Sequence, residues 1–185
     1  MPEKLIAETE DRMRKAGDSL ARELAGIRTG KANPGLLDPV KVDYYGTQTP
    51  LRQLANVAAP EPRLLVVQPF DKSALGEMEK AILKSSLGLN PSNDGNVIRI
   101  PIPSLTEERR KELAKMVRKL GESGKVAVRN IRRDANEKIK RSEKEGQVTE
   151  DDSKRMLERI QEITDKYIEE IDGMVAAKEK EVMEV

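Results

Sequence analysis

Histidine, cysteine and tryptophan are absent from the 185-residue chain, and only 2% of its residues are aromatic. Without cysteine there is no thiolate nucleophile, no disulfide and no thiolate zinc site. Without histidine there is no imidazole base, so serine hydrolysis through a histidine triad is excluded as well. The missing cysteine says nothing about compartment, because reducing and oxidising environments both tolerate it. No apolar run approaches the ~18 residues of a membrane-crossing helix. The first twenty residues carry Glu3, Glu8, Glu10, Asp11 and Asp18, a pattern at odds with a signal or transit peptide. These absences predict a soluble, cytoplasmic protein with no membrane partner, no metal, no cofactor and no conventional active site.

What the chain has in abundance is charge. Charged residues make up 36% of it, yet 34 basic and 33 acidic side chains leave a net of only +1. The balance is not local. Residues 106–145 hold 14 basic against 8 acidic side chains, and residues 146–185 hold 6 against 12. A polyanionic partner responds to such local asymmetry rather than to the total.

Three segments carry the apolar spacing of long helices. In the first, Ile6, Met13, Leu20 and Ile27 recur every seven residues, with Ala16 and Leu24 between them, and the pattern predicts a helix running to Thr29-Gly30. The second opens after Thr106, with Glu107 and Glu108 where the helix dipole favours acids. Its apolar face is Leu113, Val117, Leu120, Gly124, Ala127, Ile131, Ala135 and Ile139. The third starts at Thr149, with Asp152 three residues on as in a capping box, and presents Met156, Ile160, Ile163, Tyr167, Ile171, Met174 and Val182. At 1.5 Å per residue the last two would each be on the order of 50–60 Å long, a length suited to an elongated bundle.

Between the first and second helices the pattern changes. Val40, Val42 and Tyr44 alternate before Gly46; Arg63 to Gln68 reads as a buried strand; residues 72–87 read as an amphipathic helix; and Asn93-Asp94-Gly95 is a turn before the strand Val97 to Ile102. The expected fold is therefore α+β: an elongated three-helix bundle of residues 1–30 plus 105–185, with a small β/α/β domain of residues 31–104 inserted. Two crossings join them, Gly30, Lys31, Ala32, Asn33 and Pro34 on one side and Pro103, Ser104, Leu105 and Thr106 on the other. Short and rich in proline and glycine, they predict a two-stranded hinge.

Two stretches imitate phosphate-binding loops, Gly121-Glu122-Ser123-Gly124-Lys125 and Gly26-Ile27-Arg28-Thr29-Gly30-Lys31. Neither has the required glycine spacing, and Val126 and Ala32 stand where the metal-binding hydroxyl should be, so nucleotide hydrolysis has no support. The acidic run Glu150-Asp151-Asp152 answers to the dipole of the third helix rather than to a metal. The informative feature is basic. At about 100° per residue, Lys111, Arg118, Lys125, Arg129, Arg132 and Lys140 share a sector of roughly 80°, about 130° from the centre of the apolar face, with Arg133 and Arg110 flanking it. No acid interrupts Lys125 to Arg133, and arginine suits bidentate phosphate contacts. The aromatic set is Tyr44, Tyr45, Phe70 and Tyr167, none of it beside this stripe. An RNA bound there would be read through its backbone and shape rather than by stacking on exposed bases.

At this point the chain resembles the ribosome recycling factor family. The similarity is carried by IRTGKANPGLLDPVKVDYYGTQTPLRQLA (27–55), SLGLNPSNDGNVIRIPIP (86–103), LTEERRKEL (105–113) and KVAVRNIRRDAN (125–136), and with the helix register it spans essentially the whole chain. The resemblance implies an L-shaped molecule in which a three-helix bundle and a small β/α/β domain meet at a flexible hinge. It also implies a non-enzymatic, monomeric translation factor that enters the post-termination ribosome, contacts large-subunit rRNA and binds no DNA. With elongation factor G and that partner's GTP hydrolysis, such a factor splits the subunits. By position, the family's RNA-binding arginines fall on Arg28, Arg110, Arg129, Arg132 and Arg133, while Lys31 and Lys125 stand where the family often has arginine. The competing reading is a coiled-coil-like scaffold or chaperone whose bundle binds other proteins.

Overall fold

A computed structural model describes residues 2–184. In chain order its elements are α1 (Pro2–Ala25), β1 (Lys41–Tyr44), β2 (Thr47–Pro50), the single-turn α2 (Leu51–Leu54), β3 (Ala55–Glu61), β4 (Leu64–Pro69), α3 (Leu75–Lys84), β5 (Ser92–Asn93), β6 (Ile98–Pro101), α4 (Glu107–Lys144) and α5 (Glu150–Met183). The chain divides into two compact units, Met1–Thr29 with Glu107–Val185, and Gly30–Thr106.

In the first unit α1, α4 and α5 pack on one another. Met13, Leu20 and Leu24 of α1 are buried with Leu113, Val117, Val128, Ile131 and Ile139 of α4 and Met156, Ile160, Ile163, Tyr167 and Ile171 of α5. The α4–α5 connection is stopped and restarted by local chemistry. Gly146, at φ +73, takes the left-handed position; its N–H donates to Glu143 O (3.0 Å) and that of Gln147 to Ser142 O (2.8 Å), a Schellman closure. Thr149 then caps α5 by accepting from the Asp152 N–H at 3.1 Å. Ser153 donates to Glu143 Oε2 (2.9 Å) and fastens the first turn of α5 to the last turn of α4.

Two expectations for the long helices are corrected. Helix α1 ends at Ala25, not at Thr29-Gly30, because Gly26 is a poor helix former and the chain tightens there, with Ile27 N–H donating to Leu24 O at 3.1 Å. That tight turn returns Ile27 to the core, which is why the apolar repeat continues past the helix. On α4, Ala114, Gly121 and Val128 are buried whereas Leu120 and Ala127 are only half-buried. The buried face is thus rotated by about 30–40° from the one the apolar spacing predicts, toward the basic sector.

The rotation explains the two glycines inside α4. A Cβ on Gly121 would collide with Val175 of α5, and one on Gly124 would stand 3.0 Å from Leu20 Cδ2 and 3.6 Å from Ile171 Cδ1. Gly173 in α5 has nothing within 4 Å of the same position. Gly173→Ala is therefore expected to stabilise the protein by about 0.5–1 kcal/mol through helix propensity alone. Gly121→Ala should lose that gain and more to overpacking, which costs about 1–3 kcal/mol, since β-branched Val175 has little freedom to turn aside. Urea unfolding of both variants checks this; equal stabilisation by the two would mean that α4 and α5 do not approach closely at Gly121.

The second unit holds two antiparallel sheets, β1–β2 and a four-stranded sheet in the order β3-β4-β6-β5. Its core gathers Val42, Leu51, Leu65, Val67, Ile98 and Ile100 around Met78 and Ile82 of α3. Helix α3 is shorter than its apolar spacing predicts, its first turn being a 3₁₀ turn, Lys72–Ala74, capped by Asp71. The longest strand, β3, gives no sequence signal. Its ANVAAPE run is alanine-rich, mostly exposed and contains Pro60, which is tolerated because β3 is an edge strand whose register shifts between Ala58 and Glu61.

Candidate nucleic-acid interface

The basic sector of α4 runs beside its seam with α5, closer to the facing helix than the apolar spacing predicts. With the buried face rotated, the sector's centre stands about 90° from the buried centre rather than 130°. Acids of α5 therefore reach part of it. Arg118 Nε donates to Glu179 Oε1 at 2.7 Å. Lys125 Nζ lies 2.8 Å from Asp172 Oδ1 and 3.1 Å from Glu122 Oε1, with its side chain only 18% exposed. These two carboxylates, Asp172 first, hold the ammonium above the ordinary lysine range. Lys111 pairs with Glu107 at 3.2 Å on the same helix. Three of the six stripe cations are thus already engaged. Placing Lys125 on an exposed face is corrected accordingly.

Toward the C-terminal half of α4 the facing residues change. Opposite Arg132 stands neutral Gln161, whose Oε1 accepts from Arg132 Nη1 at 3.4 Å while its amide nitrogen donates to Asp165 at 2.8 Å. Arg129 is half-buried; Arg133 and Lys140 are exposed. Among the described residues none of these three has an ion-pair partner. Asp134, the acid nearest in sequence, is drawn to the other flank of the helix, where Arg12 of α1 lies 3.2 Å from it. Arg129, Arg132, Arg133 and Lys140 thus form a patch of cations with little local neutralisation on one helix, the three arginines within about one turn and Lys140 about two turns further on. Asn136, half-buried within the same sector, has a buried Oδ1 with no hydrogen-bond partner among the described residues; periodicity had not singled it out.

Arg110 sits elsewhere. It falls on the buried side of α4, half-buried, and its Nε has no hydrogen-bond partner among the described residues, so it does not share the exposed face with the other arginines. Arg28 is exposed in the coil after α1.

The crossings show two kinds of attachment. Ala32 N–H donates to Pro62 O (2.6 Å), and Asn33 Oδ1 accepts from Gly35 N–H (2.9 Å) to cap the 3₁₀ turn that Pro34 opens. Ala32, Asn33 and Pro34 are in this way tied into the small unit. Gly30 takes φ +77, and a Cβ there would stand 3.1 Å from Leu105 Cγ, so the two crossings touch where only glycine fits well. Lys31, Pro103, Ser104 and Thr106 are exposed, and Pro103–Thr106 has no regular secondary structure. Among the described residues no group of three or more acidic, histidine or cysteine side chains is placed to hold a metal, and no helix is long and apolar enough to cross a membrane.

Fold and face together define a class: a three-helix bundle with an inserted antiparallel α+β unit, carrying an arginine-rich flank suited to a polyanion. Comparison with known proteins narrows it. The family model described as ribosome recycling factor matches residues 20–183. The ribosome-recycling factor of Halalkalibacterium halodurans is 58% identical over 185 residues, and that of Bacillus subtilis strain 168 is 55% identical over 185 residues, each alignment covering 100% of both chains. A solution structure of the ribosome recycling factor is 45% identical, with a TM-score of 0.76 over 100% of this chain and 98% of that one. A second structure models the T. thermophilus ribosome recycling factor and the E. coli elongation factor G bound to the E. coli post-termination complex; it is 50% identical, with a TM-score of 0.64 over 100% of both chains. The chain belongs to the ribosome recycling factor family.

Proposed function

We propose that this protein acts in the cytoplasm as a monomeric, non-enzymatic factor that binds the post-termination ribosome and, with elongation factor G and GTP, drives its separation into subunits. The observation that carries this reading is the patch of Arg129, Arg132, Arg133 and Lys140, left without acidic partners while the rest of the stripe is paired. On that patch the bundle docks to the phosphate backbone of large-subunit rRNA. Release of counterions from folded RNA supplies the affinity, and bidentate arginine contacts supply the orientation. Arg28 and Arg110 add contacts beyond the patch, and Lys125 contributes least because Asp172 and Glu122 already hold it.

The small unit is the moving part. Arg28 to Lys31 and Pro103 to Thr106 form the hinge, and the hydrogen-bonded Ala32–Pro34 stretch rides with the small unit. A push from elongation factor G on that unit is then transmitted to the docked bundle. No group on this chain needs to make or break a covalent bond. The relative bound with elongation factor G to the post-termination complex supports the choice of partners.

Light-scattering measurement of subunit separation tests this. The protein with elongation factor G and GTP should split post-termination ribosomes; omission of either should abolish it. Because the chain lacks cysteine, one cysteine can be placed in each unit to lock the hinge by a disulfide. The locked form should still co-sediment with ribosomes but fail to split them until reduced. Undiminished splitting by the locked form would remove the hinge from the mechanism. Salt-independent association with ribosomes would favour a protein-binding scaffold over an RNA-docking factor.

A further inference from the structure

The small unit carries three of the chain's four aromatic rings, and two of them are turned outward: Tyr45 is 81% exposed and Phe70 73%. Neither ring contributes to the core of the unit. They stand on neighbouring loops. Tyr44, just before Tyr45, donates its hydroxyl to Asp71 Oδ2 at 3.0 Å, and Asp71 directly follows Phe70. The Phe70 backbone is fixed in turn, its N–H donating to Leu54 O at 3.0 Å.

Tyr45 also sits on strained backbone. The two-residue loop between β1 and β2 is Tyr45-Gly46, with φ values of +50 and +81, the signs of a type I′ turn. The first position of such a turn favours asparagine, aspartate or glycine, and a bulky aromatic there is an outlier. Tyr45 is the one non-glycine residue with positive φ among those described. Apart from an edge contact with the Tyr44 ring (centroids 4.6 Å apart), this strained side chain finds little packing in return. Strain retained without a folding reason, on a ring held out to solvent, points to contact with another molecule.

The surrounding charge selects the kind of molecule. Asp43 accepts from the Gly46 N–H at 3.0 Å, and Asp71 accepts from Tyr44 and Ser73, so each of the two loops that carry an exposed ring also holds a carboxylate within two residues of that ring in sequence. Lys72, the next cation along, is drawn away to Asn96 Oδ1 at 3.0 Å. An RNA strand stacking a base on these rings would bring its phosphates against the carboxylates. A protein surface with an apolar pocket and a basic rim would meet both the rings and the acids.

We infer that Tyr45 and Phe70 are the paired aromatic anchors by which the small unit grips its protein partner, a surface with an apolar pocket and a basic rim. The inference rests on the functional reading above, in which that partner is elongation factor G.

Tyr45→Asn and Phe70→Ser provide the test in the full-length chain. Tyr45→Asn places a favoured residue in the turn and should melt no lower than the parent. Each variant should bind ribosomes within about twofold of the parent yet need about tenfold more elongation factor G for half-maximal splitting, as expected for truncation of an anchoring aromatic. An unchanged elongation factor G requirement in both variants overturns the inference. A matching loss of ribosome affinity also overturns it, because the rings would then be stacking on RNA. A parent protein that shows no response to elongation factor G overturns the underlying reading instead, and the two failures are thereby distinguished.

Discussion

Replacing Ile160 by alanine is expected to lower the stability of the bundle by about 2–5 kcal/mol, the range for a fully buried aliphatic side chain whose cavity cannot collapse. Ile160 is wholly buried on α5 and packs in a cluster with Ala135 and Ile139 of α4 and Met156 of its own helix, with Leu5 and Ile6 of α1 alongside. All three helices thus contribute to this one cluster. None of them is stable alone in water at these lengths without its apolar face covered, so a cavity here loosens the whole cluster at once. Leu120→Ala should cost clearly less, because the rotation of α4 leaves Leu120 half-buried at the edge of the face. Urea unfolding followed by the helical circular dichroism signal measures both. A loss below about 0.5 kcal/mol at Ile160 would place it outside the core and overturn the helix register.

Arg132→Ala should weaken ribosome binding by about 1–3 kcal/mol, the value of a charge-assisted hydrogen bond to phosphate. Its guanidinium spends little within the protein, on a single 3.4 Å bond to the side-chain oxygen of Gln161. Arg129, three residues earlier, has no ion-pair partner among the described residues, so the pair can span neighbouring phosphates without disturbing the helix. Removing one phosphate-bound cation should also flatten the plot of log affinity against log salt by about 0.7–0.9. Melting temperature should barely move, since Gln161 keeps its bond to Asp165. Lys125→Ala is the informative contrast. Its charge is already met by Asp172 and Glu122, so its removal should cost ribosome affinity much less than removal of Arg132. Co-sedimentation across a salt series reads both. Equal losses would mean that the α5 carboxylates do not matter, and no loss at Arg132 would reduce the patch to a solvated surface.

Much of the architecture was legible because it is local. The apolar stripes of the three long helices, the Thr149 cap and the Asn93-Asp94-Gly95 turn each depend on residues within a few positions of one another. Helix propensity, capping and turn chemistry act over that span, so the chain itself records them. The basic sector of α4 was legible for the same reason: a helix places residues seven apart on one face.

What the chain alone left open depends on partners distant in sequence. Strand β3 exists because β4 offers it a ladder, and its own alanines and proline do not announce it. Gly121 is tolerated in mid-helix because Val175, on the facing helix α5, leaves no room for a Cβ. The division of the basic stripe into paired and unpaired halves follows from antiparallel register, which sets Asp172 and Glu179 against Lys125 and Arg118 but neutral Gln161 against Arg132. Charge counted along one helix is blind to that register. Sequence therefore determined which residues could bind a polyanion, and tertiary packing decided which were left free to do so, because an exposed cation is available only where no carboxylate on the facing helix reaches it.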